Sequence, residues 1–207
     1  MEKIATEVIG MKNDNSCLIR FQEQIIDNFL IPAFTLYKGE LVIIQYPGGP
    51  LFSARFPLIE LLTARTSNDN TEVTTALHYP GHLKVRSSIF NRQYPSTVSG
   101  YLNKYANKNH PFYNKIYGID EVRGNVKINM LSGYLRQQLG VYAILSRTSN
   151  IVFDLAGVDP VGGVLIFNVV KSAIAAGGAC ILLDLCDEFK DLCTTFIQTK
   201  YVGPPLE

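Results

Sequence analysis

Two short apolar runs constrain this chain most: Ile151-Val152-Phe153, closed by Asp154, and Ala179-Cys180-Ile181-Leu182-Leu183, closed by Asp184. Each reads as a strand buried on both faces. Val164 to Ala173 lies between them and reads as helix by context, although its Val, Ile and Phe would also suit a strand. Gly177-Gly178 turns the chain from that helix into the second strand. A third apolar run, Leu41-Val42-Ile43-Ile44, follows a Lys38-Gly39-Glu40 turn. Strands alternating with helices predict an α/β fold with a parallel sheet.

The remaining segments fill in around that sheet. Residues 1–38 read as short strands, with Ile25 to Leu30 and Phe34 to Leu36 the best candidates and Pro32 arguing against helix. Tyr46 to Pro50 reads as a loop without regular structure. Leu58, Leu61 and Leu62 have helical spacing within 58–64. Ser67 to Thr75 is polar, a loop or hairpin, and Ile89-Phe90 opens another buried segment. The stretch 96–125 carries many aromatics among Asn and Lys and reads as a small helical region. Beyond it Leu135, Leu139, Tyr142 and Ala143 share one helix face, with Ser132 placed to cap its start. Glu188 to Cys193 reads as a short helix, and the ending Tyr201 to Pro205 leaves no room for a further domain.

An apolar content of 47% against 18% charged residues is enough for a well-packed core and suggests that some surface is covered by another protein. Val164, Leu165, Ile166, Phe167, Val169 and Val170 surround their helix almost completely. Both its sides are therefore expected to be covered, by the sheet and a partner or by a deep core. A net charge of +1 gives no ground for a nucleic-acid partner. Val161 to Leu183 carries only Lys171 as a charge, but its glycines make a helix, turn and strand the better reading than a membrane span. Cys17, Cys180, Cys186 and Cys193 form no Cys-x-x-Cys pair, and no apolar leader opens the chain. These features point to structural thiols in a reduced, cytosol-facing compartment. His78 and His82 have a metal-ligand spacing, yet Pro80-Gly81 breaks the helix it requires, so no metal is expected.

Leu131-Ser132-Gly133-Tyr134-Leu135, the helix after it, Ile151-Val152-Phe153-Asp154 and Ala156-Gly157-Val158-Asp159-Pro160 resemble, in order, the signature motif, signature helix, Walker B strand and D-loop of ABC-type ATPases. The resemblance spans nearly all of the chain. It implies one P-loop NTPase-like ABC ATPase core over 1–207, with a small antiparallel β region and a helical subdomain at about 94–145. The segment Gln45 to Pro57 takes the place of the phosphate loop. It offers Gly48 and Gly49 but no Gly-Lys-Ser/Thr. Arg55 falls near the lysine position counted back from the helix, and Phe52 falls there counted forward from Gly39. Ser53 is the hydroxyl nearest the magnesium position, and Leu51 and Phe52 would crowd a phosphate. Gln93, after Phe90-Asn91-Arg92, resembles the Q-loop glutamine.

The chemistry that the resemblance would carry is missing at several positions. Tyr134 and Leu135 replace Gly-Gln of the signature, and the tyrosine would intrude where a phosphate approaches. Leu155 replaces the catalytic glutamate and can neither accept a proton nor orient water. Leu185 stands where the switch histidine belongs. Asp154 is expected to be structural. The resemblance therefore implies no catalytic residues. Gly48, Gly49, Ser53, Arg55, Gln93, Ser132, Gly133, Asp154 and Asp159 are what remains of a nucleotide site. No cofactor is expected, with ATP and magnesium only if the chain is instead a divergent nucleotide-binding ATPase. The expected role is a non-catalytic scaffold subunit, peripheral to a membrane on its cytoplasmic or matrix side. Its partner would be a membrane transporter subunit or a second ABC ATPase, met through Tyr94, Tyr101, Tyr105, Phe112 and Tyr113. A structural subunit of a large complex that keeps only the fold is the remaining alternative.

Overall fold

The computed structural model describes residues 17–47, 49–81, 83 and 97–204. Its strands are β1 (Cys17–Phe21), β2 (Gln24–Ile26), β3 (Phe29–Ile31), β4 (Phe34–Tyr37), β5 (Leu41–Gln45), β6 (Thr71–Val73), β7 (Asn150–Asp154), β8 (Ala179–Asp184), β9 (Thr195–Gln198) and β10 (Lys200–Tyr201). Its α-helices are α1 (Arg55–Leu62), α2 (Val98–Tyr105), α3 (Pro111–Lys115), α4 (Gly133–Leu145) and α5 (Pro160–Ala175).

The four strands β7-β8-β5-β9 form a parallel sheet in that order. Alternate residues of each strand serve opposite faces, as the two-residue repeat of a strand requires. Val42, Ile44, Val152, Ile181, Leu183 and Ile197 join a core built with α1 and the antiparallel strands. Leu41, Ile43, Ile151, Phe153, Cys180 and Leu182 meet Ile166, Phe167, Val170 and Ala173 of α5 on the other face. Burial on both faces is why these runs are apolar throughout. Two small antiparallel sheets, β4-β1-β6 and β10-β3-β2, flank the parallel one.

The helical region forms a third core around Val98, Tyr101, Leu102, Ile116, Val122, Leu135, Leu139 and Tyr142. Helix α4 belongs to two cores. Its Leu135, Leu139, Tyr142 and Ala143 face the helical region as expected, while Val141 and Leu145 face the sheet.

Several expectations need correction. Ile25 to Leu30 is a hairpin rather than one strand: Asp27 and Asn28 take positive φ values of 47° and 67°, a two-residue turn that Asn tolerates well. Gly49–Ala54 is a 3-10 helix rather than irregular loop, and it runs directly into α1. The expected helix at Glu188 to Cys193 tightens to a single 3-10 turn, Lys190–Leu192. Strand β9 pairs with β5 although its composition, Thr-Phe-Ile-Gln, gave no strong pattern. The polar Ser67 to Thr75 region reverses the chain into β6. Ile89-Phe90 lies outside the described residues. Cys17 and Cys180 are buried, and burial pushes the Cys180 thiol up to about 12, but Cys186 is exposed and so is not a core thiol.

Helix α5 is covered by this chain on one side only. Val161 is 71% exposed, Val164 39% and Leu165 45%, so a deep core does not explain its all-round apolar character. No helix among the described residues is long and apolar enough to cross a membrane. The fold predicts a sharp asymmetry around α5. Val164→Lys should leave the melting temperature of the isolated chain nearly unchanged. Ile166→Lys, which strands an ammonium beneath the sheet, should cost several kcal/mol, about 3 or more, in urea denaturation.

Candidate functional site

The carboxyl ends of β5, β7 and β8 form a row of strand ends in which Gln45 lies opposite Asp184 and Asp154 opposite Leu183. Crevices beyond such ends are where parallel α/β sheets place ligands. After β5 the chain passes through Tyr46 and Pro47, enters the 3-10 helix and delivers Arg55 as the first residue of α1. That entry carries the side chain inward, over the row, instead of out to solvent.

Arg55 is buried and is held by Asp154, Phe52 and Phe56. Its Nε donates to Asp154 Oδ2 at 3.1 Å, and its Nη1 donates to the Phe52 carbonyl at 2.7 Å. Its guanidinium carbon lies 4.0 Å from the centre of the Phe52 ring and 4.2 Å from that of Phe56, close enough for cation–π attraction to both. Asp154 is fully buried. Besides Arg55, the Tyr79 hydroxyl donates to its Oδ2 at 2.6 Å and the Ala156 N–H to its Oδ1 at 3.0 Å. Burial first, then the Asp154 charge, push the Tyr79 phenol well above its ordinary range, so it stays a donor. Gln137 of α4 donates from Nε2 to the main-chain carbonyl of Asp154 at 2.9 Å.

The site is thus filled from within. Arg55, expected near the position of a phosphate-binding lysine, turns its charge onto Asp154, the carboxylate expected to be structural. Phe52 is buried beside it and stacks edge-on against Tyr46 at 6.2 Å. Tyr46 is itself buried, its hydroxyl without a hydrogen-bond partner among the described residues, and burial raises its phenol. Ser53 is exposed. Gly49 begins the 3-10 helix, whereas Gly48, Gln93 and Tyr94 lie outside the described residues.

The other expected positions resolve into packing and capping. Ser132 occupies the N-cap position of α4, but its hydroxyl makes no capping bond, contrary to expectation. Gly133 is exposed and sits so near Gly157 that a Cβ would lie 3.0 Å from the Gly157 carbonyl oxygen. Tyr134 packs its Cβ and Cγ on Gly162 of α5 and is half-buried against the helical core, so it does not stand out over the start of α4 as expected. Asp159 caps α5 through Oδ1, which accepts the Gly162 N–H at 2.9 Å. Leu155 packs with the α5 face of the sheet, and Leu185 with the opposite face.

Among the expected docking aromatics, Tyr101 is a core residue of the helical region, which corrects its assignment as a surface anchor. Tyr105 is half-buried against it, the ring centres 4.8 Å apart. Phe112 is half-buried against Tyr142, and the Tyr113 hydroxyl donates to Asn103 Oδ1 at 3.2 Å. No group of three or more metal-ligating side chains occurs among the described residues.

Sequence reading missed Tyr79 and Gln137, whose roles depend on the tertiary approach of distant segments. It also missed Asp184, which was visible as the residue closing the second apolar run just as Asp154 closes the first. Burial pushes the Asp184 carboxyl up. The N–H groups of Leu185 and Cys186 oppose this, and Glu188 and Asp154 add to it.

No family model and no curated protein matches the chain in sequence. In structure it resembles a Pyrococcus furiosus protein assigned as an ABC transporter ATP-binding protein, at TM-score 0.65 and 14% identity, covering 88% of this chain and 97% of that one. It also resembles cbiO1 of Clostridium perfringens, part of the ABC transporter complex cbiONQ, at 0.63 and 13%, covering 92% and 88%. The archaeal ribosome recycling factor aABCE1, in complex with a ribosomal stalk protein, matches at 0.61 and 15% over 95% of this chain and 41% of that one. The chain has the ABC ATPase fold.

Two predictions follow from this geometry. Breaking a buried ion pair from one side leaves an uncompensated charge, so Arg55→Met and Asp154→Leu should each destabilise by about 3–5 kcal/mol. The double variant should cost less than either alone, as read by chemical denaturation. The raised Asp184 carboxyl favours the fold in its protonated form. That contribution is complete below about pH 4, the ordinary aspartate value, and is lost as pH rises through the raised one. Asp184→Asn should therefore flatten the fall in melting temperature between acid and neutral pH.

Proposed function

We propose that this chain is a subunit with the ABC ATPase fold that does not hydrolyse ATP and serves as a scaffold for a partner. One observation carries the reading: Arg55 donates to Asp154 at 3.1 Å, so a cation of the chain itself faces the carboxylate that the resemblance would give to a metal. Phosphoryl transfer depends on positioned charge and an oriented nucleophile. Here the carboxylate is neutralised internally, Phe52 fills adjacent space, and Leu155 and Leu185 offer no base. The partner is a membrane transporter subunit or a second ABC ATPase, which places the chain peripheral to a membrane, on its cytoplasmic or matrix side. Tyr105, Phe112 and Tyr113, half-buried on the helical region, are the candidate contacts. The exposed Ser132 and Gly133 at the start of α4 remain available to a partner subunit.

A second reading is a structural subunit of a large assembly outside transport. It is favoured by the likeness to a ribosome recycling factor as well as to transporter components.

Phosphate release with magnesium and ATP should stay at background for the purified chain. Turnover that Asp154→Ala abolishes would refute the proposal. Paired Tyr105→Ala and Tyr113→Ala changes should release a co-purifying polytopic membrane protein while the melting temperature falls by only a few degrees, roughly 5 °C. Retention in a large complex without any such membrane protein would favour the second reading.

A further inference from the structure

Asp154 is where three separate parts of the chain meet. Arg55 reaches its carboxylate from the start of α1, Tyr79 reaches it from the segment 77–81, and Gln137 of α4 reaches its main-chain carbonyl. The same three parts touch one another around it. Leu77 N–H donates to the Leu62 carbonyl at the end of α1, at 3.0 Å, and His78 pairs alongside Ile151 at the edge of the parallel sheet. Pro80 and Gly81 lie against Gly140 of α4, where a Cβ would stand 3.6 Å from the Pro80 side chain. Helix α4 in turn carries the helical region, packing on α2 and α3 with one face and on the sheet core with the other.

We propose that the Arg55–Asp154–Tyr79 cluster is an internal clamp that, through the Gln137 bond to the Asp154 carbonyl and the packing of 77–81 on α4, fixes the helical region, residues 97–145, on the parallel sheet. The clamp goes beyond the loss of hydrolysis, because it assigns the cluster a mechanical task that would hold whether or not nucleotide binds elsewhere on the chain. Each component suits that task. The carboxylate is fully buried and accepts from a guanidinium, a phenol and a backbone N–H, so it has strong reason to keep all three in place. The guanidinium is planar and lies against two rings while it donates to the carboxylate. The phenol stays protonated and can only donate.

Native-state hydrogen exchange on the full chain tests this, with Tyr79→Phe and Arg55→Lys compared with wild type. Amides of 77–81 and of α4 should exchange about tenfold faster in both variants, while those of β5 and β8 keep their wild-type rates. Tyr79→Phe removes a single hydroxyl, so it decides the matter if Arg55→Lys does not fold. Acceleration spread evenly over sheet and helices would mean general destabilisation and would overturn the clamp. So would acceleration confined to α1. The phosphate-release assay above reads the loss of hydrolysis independently of both outcomes.

Discussion

A buried guanidinium and a buried carboxylate can each be tolerated only because the other is there. Arg55 and Asp154 lie 99 positions apart in sequence, one at the start of a helix and the other at the end of β7, the outer strand of the parallel sheet. Desolvating both is expensive, and their attraction together with the added hydrogen bonds offsets that cost. The neighbouring structure is arranged to meet the same requirement. Phe52 and Phe56 cover the cation, Tyr79 completes the carboxylate, and Gln137 satisfies the carbonyl of the same residue. At the carboxyl end of the parallel sheet, among the described residues, the Asp154 carboxylate is partnered by the chain's own groups.

That arrangement depends on a sheet rigid enough to hold the row of strand ends in register. The β5–β8 and β7–β8 pairings supply it, with both faces sealed by separate apolar clusters. Helix α4 then transmits the position of the sheet to the helical region, since its two apolar faces belong to different cores. Chemistry and architecture share parts here. The strand end that a hydrolytic site would use for a cation instead anchors α1, the segment around Tyr79 and α4. Leu155 and Leu185 follow the same pattern, because both pack on the sheet, on its opposite faces.

Much of the frame was legible without coordinates because it rests on local periodicity. Uniformly apolar runs identified β5, β7 and β8, helical spacing identified the inner face of α4, and Val164 to Ala173, read as helix from its context, lies within the longer α5. Short segments fared worse. The Asp27-Asn28 turn interrupts what composition alone reads as one strand, and Thr195–Gln198 becomes a strand only because β5 offers it an open edge. Helix α5 misled in another way: an apolar surface all round does not tell which side the chain itself covers.

The sequence by itself determined the apolar strands of the parallel sheet, and that Leu155 and Leu185 carry no ionisable group, since residue identity is legible at its position. Only the tertiary structure decided what the side chains around Asp154 touch. Whether Arg55 points to solvent or to Asp154 depends on the 3-10 helix that delivers it. Whether Tyr101 is surface or core depends on how α2 meets α4. Tyr79 and Gln137 acquire their roles only when segments 75 and 17 positions from Asp154 fold back onto it. Pairings of this kind are set by the packing of whole elements, and no local pattern encodes them.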